Sequence, residues 1–340
     1  EDTNTLLRHG VWIATIENGE KRISNSGPRY LSDDVEWLIH DASQTPVAAI
    51  GYNDDRSSYW PGAGVPTSEV PIEIHNYRYD QYMDSDKDNW PEEMITTKWK
   101  LSRSGIVVTR TALSWSYTGF NDFIIIEHVF ENTGGMQLDD TYFSFMNTFS
   151  VAESGNALTH YNTWRRQQAA GLDDWYRYTD SPNYAGPAGG MGLKLSYQWD
   201  GDFAESLFDD TGEPLISAVR DNFDWQFKEG ALRSVQYVGF GPIDADPTDG
   251  FVNDTETYVA PKVADQPVSV RWWEVRSAGD FDQPDKNVHS EVQMYDLLSD
   301  PEVQSDPSIN SGWSCAHTYG PYDLGPGEKV KIVIAFAAGS

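Results

Sequence analysis

The sequence predicts an all-β protein, a large antiparallel β-sandwich with long loops and one short helix near residues 289–298. Three observations support this fold class. Short segments rich in β-branched and aromatic residues recur along the 340 residues, and clusters of glycine, proline, asparagine and aspartate separate them. Hydrophobic residues make up 39% of the chain and aromatic residues 13%, which suffices for a large core. A clear helical spacing of apolar residues occurs at only one place.

The first half of the chain carries the strongest strand signals. Short β-rich runs come first, at residues 10–16, 36–40 and 70–75. Four consecutive strands are then predicted at residues 95–101, 106–117, 122–131 and 141–151. In the second of these, Val107, Thr109, Thr111, Leu113 and Trp115 share one face while Arg110, Ser114 and Ser116 share the other, the pattern of a half-buried antiparallel strand. The nearly continuous apolar run 123–126 predicts a central strand covered on both faces.

The second half contains fewer strands and longer loops. Strands are predicted at residues 192–199, 234–240, 268–275 and 329–337, and long loops at residues 182–192 and 244–250. In the helical segment, Val292, Tyr295 and the pair Leu297 and Leu298 recur at spacings of three and four before Pro301. The length permits a single sandwich over residues 1–340. A weak boundary near residues 151–155 permits the alternative of two β lobes, 1–154 and 155–340.

The charge and the cysteine content exclude several classes of function. Fifty-three acidic residues against 24 basic ones give a net charge of −29, which disfavours nucleic acid as a partner. No apolar run reaches the roughly 18 residues that a membrane-spanning helix needs. The single cysteine, Cys315, allows neither an internal disulfide nor a thiolate zinc cluster, and we expect it to be an inert buried thiol.

An acidic segment at residues 84–93 is the most specific candidate site. Asp84, Asp86 and Asp88 alternate, and Glu92 follows, so that oxygen ligands for a hard cation lie close together. The segment resembles the first half of an EF-hand loop, although Asn89 stands at the position of the usual glycine and Ile95 at that of the final glutamate. Calcium is therefore the candidate cofactor. A solvated acidic turn is the alternative.

Aromatic side chains, several of them in predicted loops, form a second candidate site. Tyr59, Trp60, Trp175, Trp272 and Trp273 offer flat apolar ring faces suited to a glycan, with packing in the core as the alternative. Glycoside hydrolysis needs two carboxylates, and Glu127 and Glu274 are candidates whose separation the sequence does not fix. No nucleophile elbow, phosphate-binding loop or paired-histidine zinc motif occurs, and the sequence assigns no catalytic residue.

Two segments carry a resemblance to a known group of proteins. The first is residues 96–134, which end in Asn-Asp-Phe-Ile-Ile-Ile-Glu-His-Val-Phe-Glu-Asn-Thr-Gly at residues 121–134. The second is residues 319–328, which read Tyr-Gly-Pro-Tyr-Asp-Leu-Gly-Pro-Gly-Glu. Both are similar to recurrent β-sandwich modules of large secreted bacterial surface proteins. The resemblance implies a β-sandwich and an extracellular or surface location. It implies no catalytic residues, because the matching positions are turn glycines and core residues: Gly105, Gly134, Gly327, Ile124 and Ile126.

We therefore expect a non-enzymatic protein that is extracellular, at the cell surface or periplasmic. Its expected role is that of a structural or accessory subunit, with other protein subunits as partners, either copies of itself or members of a larger complex. Strand edges at residues 10–16 and 329–337 are the predicted contacts. The alternative is a carbohydrate-binding module or glycoside hydrolase that uses the aromatic residues, with a glycan as partner.

Overall fold

The computed structural model describes residues 6–25, 35–37, 72–74, 93–101, 103–115, 121–149, 175–181, 193–199, 237–247, 257–274, 290–304 and 313–339. The strands of these residues are, in chain order, β1 (Leu6–Glu17), β2 (Glu20–Asn25), β3 (Val35–Trp37), β4 (Ile72–Ile74), β5 (Glu93–Leu101), β6 (Ile106–Ser114), β7 (Phe123–Asn132), β8 (Leu138–Phe149), β9 (Trp175–Ser181), β10 (Leu193–Trp199), β11 (Tyr237–Asp244), β12 (Ser269–Glu274), β13 (Trp313–Leu324) and β14 (Lys329–Gly339). One helix, α1 (Glu291–Ser299), precedes β13. The predicted all-β class is confirmed.

Two antiparallel sheets pack face to face. The smaller sheet has the strand order β12-β13-β8-β1-β2. The larger sheet has the order β3-β5-β6-β7-β14-β11-β10-β9, with β4 also paired to β5. Both sheets combine strands that are distant in sequence, since β8 lies between β1 and β13 while β14 lies between β7 and β11.

Aromatic side chains fill the space between the sheets. Phe130 of the larger sheet stacks on Phe143 of the smaller one with ring centroids 4.1 Å apart, and both rings are fully buried. Phe145 and Tyr319 meet edge to face at 5.5 Å. Burial of each such ring stabilises the fold by roughly 1.5–3 kcal/mol. The inter-sheet core is therefore the main source of stability among the described residues.

Helix α1 forms a third layer on the outer face of the smaller sheet. Ser290 caps the helix by accepting a hydrogen bond from the backbone N–H of Gln293, at 3.2 Å. The helix buries Met294, Tyr295 and Leu298 against the sheet. The helix lies where the sequence predicts it. Of the residues predicted for its apolar face, Tyr295 and Leu298 are buried, whereas Val292 is 50% exposed.

Two predictions about strand faces are wrong. In β6 the inward face carries Ile106 and Val108, with Arg110 on the same side, because Val108 pairs in register with the buried Trp99. The predicted inward set was the opposite one. Strand β7 is central in the larger sheet, as predicted, yet Ile124 at its start is 44% exposed.

The predicted contact edges are also wrong. Residues 10–16 lie in β1 and residues 329–337 lie in β14, and each of these strands is hydrogen-bonded on both sides. The smaller sheet has β12 and β2 at its edges. At β12, the backbone of Val270 exchanges hydrogen bonds of 3.0 and 2.9 Å with Glu302 and Gln304, so the segment after α1 covers that edge.

Three turns meet at one end of the sandwich, and we call them the turn cluster: residues 103–106, 132–135 and 325–328. The side-chain amide of Asn132 donates to the carbonyls of Met136 and Leu324 at 2.9 and 3.0 Å. The backbone N–H of Thr133 donates to Gly105 at 3.1 Å, and that of Gly327 donates to Asn132 at 2.7 Å. Segments that carry the sequence resemblance therefore bind one another through turn hydrogen bonds.

Candidate functional site

Most of the predicted metal and aromatic residues lie outside the described residues. This holds for the acidic segment, with Asp84, Asp86, Asp88 and Glu92, and for Tyr59 and Trp60. Calcium in that segment therefore stays a prediction. Trp175 begins β9, and only its backbone is described. Within the described ranges, no three His, Cys, Asp or Glu residues are grouped so that they could hold a metal ion.

Trp272 and Trp273 are both buried, with exposed fractions of 5% and 6%. Because side chains alternate along a strand, their rings point to opposite faces of β12. Trp272 stacks on Tyr176 between the sheets, at 3.9 Å between centroids, while Trp273 stacks on Trp12 beneath α1, at 6.2 Å. Both rings are therefore packed in the core, which is the alternative that the sequence analysis left open. They do not form one binding platform.

A buried serine and histidine join the two sheets. Ser196 Oγ of β10 and His317 Nε2 of β13 lie 2.6 Å apart, and both residues are fully buried. Burial, followed by the positive charge of Lys194, lowers the pKa of His317 to about 3. Such an imidazole is a poor general base near neutral pH. Cys315 is fully buried as well, and burial raises the pKa of its thiol well above the ordinary value. The Ser196 and His317 pair therefore links the two sheets, and Cys315 fills space in the core.

The two candidate glutamates lie on strands of different sheets. Glu127 lies on β7 in the larger sheet, with one carboxylate oxygen 3.5 Å from Lys331 Nζ. Glu274 ends β12 in the smaller sheet, and its side chain is outside the described set. The described part of the fold therefore offers no measured carboxylate pair for glycoside hydrolysis.

Three aromatic rings lie side by side on the outer face of the larger sheet, and we call them the aromatic platform: Tyr197, Trp199 and Tyr237. Tyr197 and Trp199 stack with ring centroids 5.4 Å apart and an interplanar angle of 29°. Trp199 and Tyr237 follow at 6.3 Å and 36°. Tyr237 is 45% exposed, and the other two are half-buried. Neighbouring ring planes are inclined by 29° and 36°, so the three rings form a nearly continuous apolar strip.

Strand geometry explains this arrangement. Tyr197 and Trp199 are two residues apart on β10 and so share a face, and Trp199 pairs in register with Tyr237 on β11. Gly239 is the partner of Tyr197 on β11. A Cβ atom at Gly239 would lie 2.7 Å from the carbonyl oxygen of Ser196, which requires glycine there and leaves the sheet surface flat beside the ring.

Polar groups border the aromatic platform on the side of β9. Arg177 is the register partner of Tyr197 on β9, and it is exposed on the same face of the sheet. Its guanidinium offers hydrogen-bond donors beside an apolar strip, and the phenol groups of the two tyrosines offer both donors and acceptors. Such a surface suits a ligand that is apolar on one face and polar at its edges.

The sequence predicted the strand at residues 192–199 but did not single out these rings. Half-buried rings in a strand have the same sequence pattern as core residues, and all three rings of the platform lie on strands. The alternation of Tyr197 and Trp199 in an otherwise polar strand end was the available signal. Its completion by Tyr237 depends on the register of β10 and β11, which the sequence alone does not give.

Comparison with known proteins adds no family to this description. Neither a scan against protein-family models nor a search of curated proteins finds a match to the chain. Within the described residues, no helix is long and apolar enough to cross a membrane.

Proposed function

We propose that this protein is a non-enzymatic β-sandwich, secreted or attached to the cell surface, that serves as an accessory subunit of an extracellular assembly and binds a glycan through the aromatic platform. The observation that carries the proposal is the row of three neighbouring rings on an outer sheet face, with Tyr237 45% exposed. Contiguous apolar patches bordered by polar groups mark binding sites, and Trp and Tyr are enriched among the residues that dominate binding energy.

A glycan matches the chemistry of this surface. A pyranose ring presents a face of C–H groups that packs on an aromatic ring, while its hydroxyl groups point outward and need hydrogen-bond partners. The aromatic platform supplies the rings, and Arg177 and the tyrosine hydroxyls supply partners at the border. A row of rings favours an extended, regular oligosaccharide, because each aromatic ring can pack against one sugar unit.

The accessory role rests on the fold and on the resemblance given above. Among the described residues most aromatic side chains are buried, and the buried Ser196 and His317 pair is a structural link. Strand β9 is the outermost strand of the larger sheet, and no strand of the described residues pairs with its outer side. An extended segment of a partner protein is expected to add there by strand pairing.

A glycan array followed by affinity electrophoresis on the best ligand tests the proposal. The Tyr237→Ala variant removes an exposed ring and is expected to weaken binding by about tenfold, the effect of losing one aromatic contact. The Tyr237→Phe variant keeps the ring and is expected to retain most of the affinity. Val292→Ala, at a 50% exposed position on the far side of the smaller sheet, is the matched control.

The proposal fails if the folded wild-type protein retains no glycan, or if Tyr237→Ala binds as tightly as Val292→Ala. Hydrolysis of the bound glycan by the wild-type protein would also overturn the non-enzymatic assignment. Release of reducing ends over a day of incubation is the readout for that activity.

A further inference from the structure

A polar cluster lies inside the sandwich, apart from the aromatic platform. We call it the inter-sheet polar cluster: His9 of β1, Asn147 of β8, Arg110 of β6 and His128 of β7. The rings of His9 and His128 face each other across the sheets with centroids 5.9 Å apart. Arg110 and His128 are direct register partners in the larger sheet, so their Cβ atoms are neighbours on the same face.

The polar atoms of this cluster are incompletely satisfied by the described residues. His9 Nδ1 lies 2.7 Å from Asn147 Oδ1, and this hydrogen bond leaves His9 Nε2 without a partner there. His128 is fully buried, and neither of its ring nitrogens has a partner among the described residues. Buried polar atoms are nearly always paired, so a buried ring with both nitrogens unpaired indicates a partner that the described residues do not supply.

The charge of the cluster is also uncompensated. Arg110 is half-buried, and its guanidinium lies 5.5 Å from the ring centroid of Trp99. Within the described part of the chain, no carboxylate forms an ion pair with it. Burial lowers the pKa of Arg110, and burial together with the charge of Arg110 lowers the pKa of His9 to about 4. A guanidinium stays protonated in proteins, and an arginine held in this environment is most stable beside a negative charge.

We infer that the inter-sheet polar cluster binds a small monovalent anion of the halide or nitrate class, held between the guanidinium of Arg110 and a ring N–H of His128. A neutral imidazole has one N–H donor, and the guanidinium contributes donors and the compensating charge. A metal cation is disfavoured by the same positive charge. A multivalent oxyanion is disfavoured because the single guanidinium of the cluster would leave part of its buried charge uncompensated.

Bromide is the probe, because it replaces chloride and scatters X-rays anomalously. Crystals transferred into bromide are expected to show an anomalous peak within hydrogen-bond distance of Arg110 and His128. Bromide peaks elsewhere on the protein, with none at this position, would overturn the inference. Surface peaks serve as the internal control for successful exchange.

Thermal melting gives a second, independent measurement. Bromide replaces the bulky anion gluconate at constant ionic strength. When bromide is about ten times its Kd, the melting temperature of the wild-type protein is expected to rise by about 2 °C relative to Arg110→Gln. Arg103→Gln, which removes an arginine ion-paired with Glu291 outside the cluster, is the control and should behave as the wild type. Equal bromide responses in wild type and Arg110→Gln would contradict the inference, and the anomalous peak decides alone where that variant does not fold.

Discussion

The buried residue His317 makes the stability of this fold depend on pH. The residue is fully buried between Tyr178 and Phe240, with ring centroids at 5.7 and 4.1 Å, and it is hydrogen-bonded to Ser196. Its pKa in the folded protein, about 3, is below the value near 6.5 expected in the unfolded chain. Between these two values the unfolded state binds more protons than the folded state. Stability therefore falls as the pH is lowered from about 6.5 toward 3.

The prediction at this scale is a pH-dependent loss of stability that His317 causes. From pH 7.5 to pH 5, this one group should lower the free energy of unfolding by about 2 kcal/mol. The His317→Gln variant should lack this part of the pH dependence, as measured by urea unfolding at both pH values. Ser196→Ala is the control, because it removes the hydrogen bond but leaves the imidazole buried. An identical pH dependence in wild type and His317→Gln would show that the imidazole is not held neutral.

The turn cluster shows how short loop segments join the larger elements. Asn132 is fully buried at the end of β7, and its side chain makes three hydrogen bonds: two donated to Met136 and Leu324 and one accepted from the N–H of Gly134. Gly105 has a φ of +71°, and a Cβ atom there would lie 3.1 Å from the Cα of Gly134. The residue types at positions 132 and 105 are therefore restricted by the geometry of the turns and not by contact with a ligand.

The corresponding prediction concerns stability and leaves glycan binding unchanged. Asn132→Ala removes three hydrogen bonds and leaves buried backbone groups unpaired, which should lower the free energy of unfolding by about 3 kcal/mol. Gln137→Ala, an exposed position in the same turn, should change it by less than about 0.5 kcal/mol. Urea unfolding of the three proteins at one pH makes the comparison. Equal stability of the two variants would mean that the Asn132 side chain does not help to hold the end of β7 to the end of β13.

Local patterns in the sequence predicted most of the elements but not their neighbours. Strands β5 to β8 were predicted because period-two alternation and turn residues are local signals. Strand β13 was missed because Gly320 and Pro321 are typical of a turn, and β9 was missed because Trp175 and Tyr176 were interpreted as loop residues. Arg110 misled the face assignment of β6, since an inward arginine is stable only within the inter-sheet polar cluster.

At the scale of the whole molecule, strand order decides which residues meet. Neither the central position of β1 nor that of β14 follows from a local signal, because β1 pairs with β8 and β14 pairs with β7, in both cases across more than a hundred residues. The aromatic platform depends in the same way on the pairing of β10 with β11. The sequence predicted the sandwich and the helix. Locating the candidate site also required the pairing register of β10 and β11.

The net charge of −29 leads to the last prediction, which concerns divalent cations. Screening by any divalent ion should stabilise so acidic a chain, whereas binding by Asp84, Asp86, Asp88 and Glu92 should be specific to calcium. At about 2 mM, above the Kd typical of extracellular calcium sites, calcium should therefore raise the melting temperature more than magnesium does. Asp86→Asn should abolish only the difference between the two ions, and the chelator EGTA should reverse it. Equal shifts with calcium and magnesium would identify the acidic segment as a solvated turn, because screening alone does not distinguish the two ions.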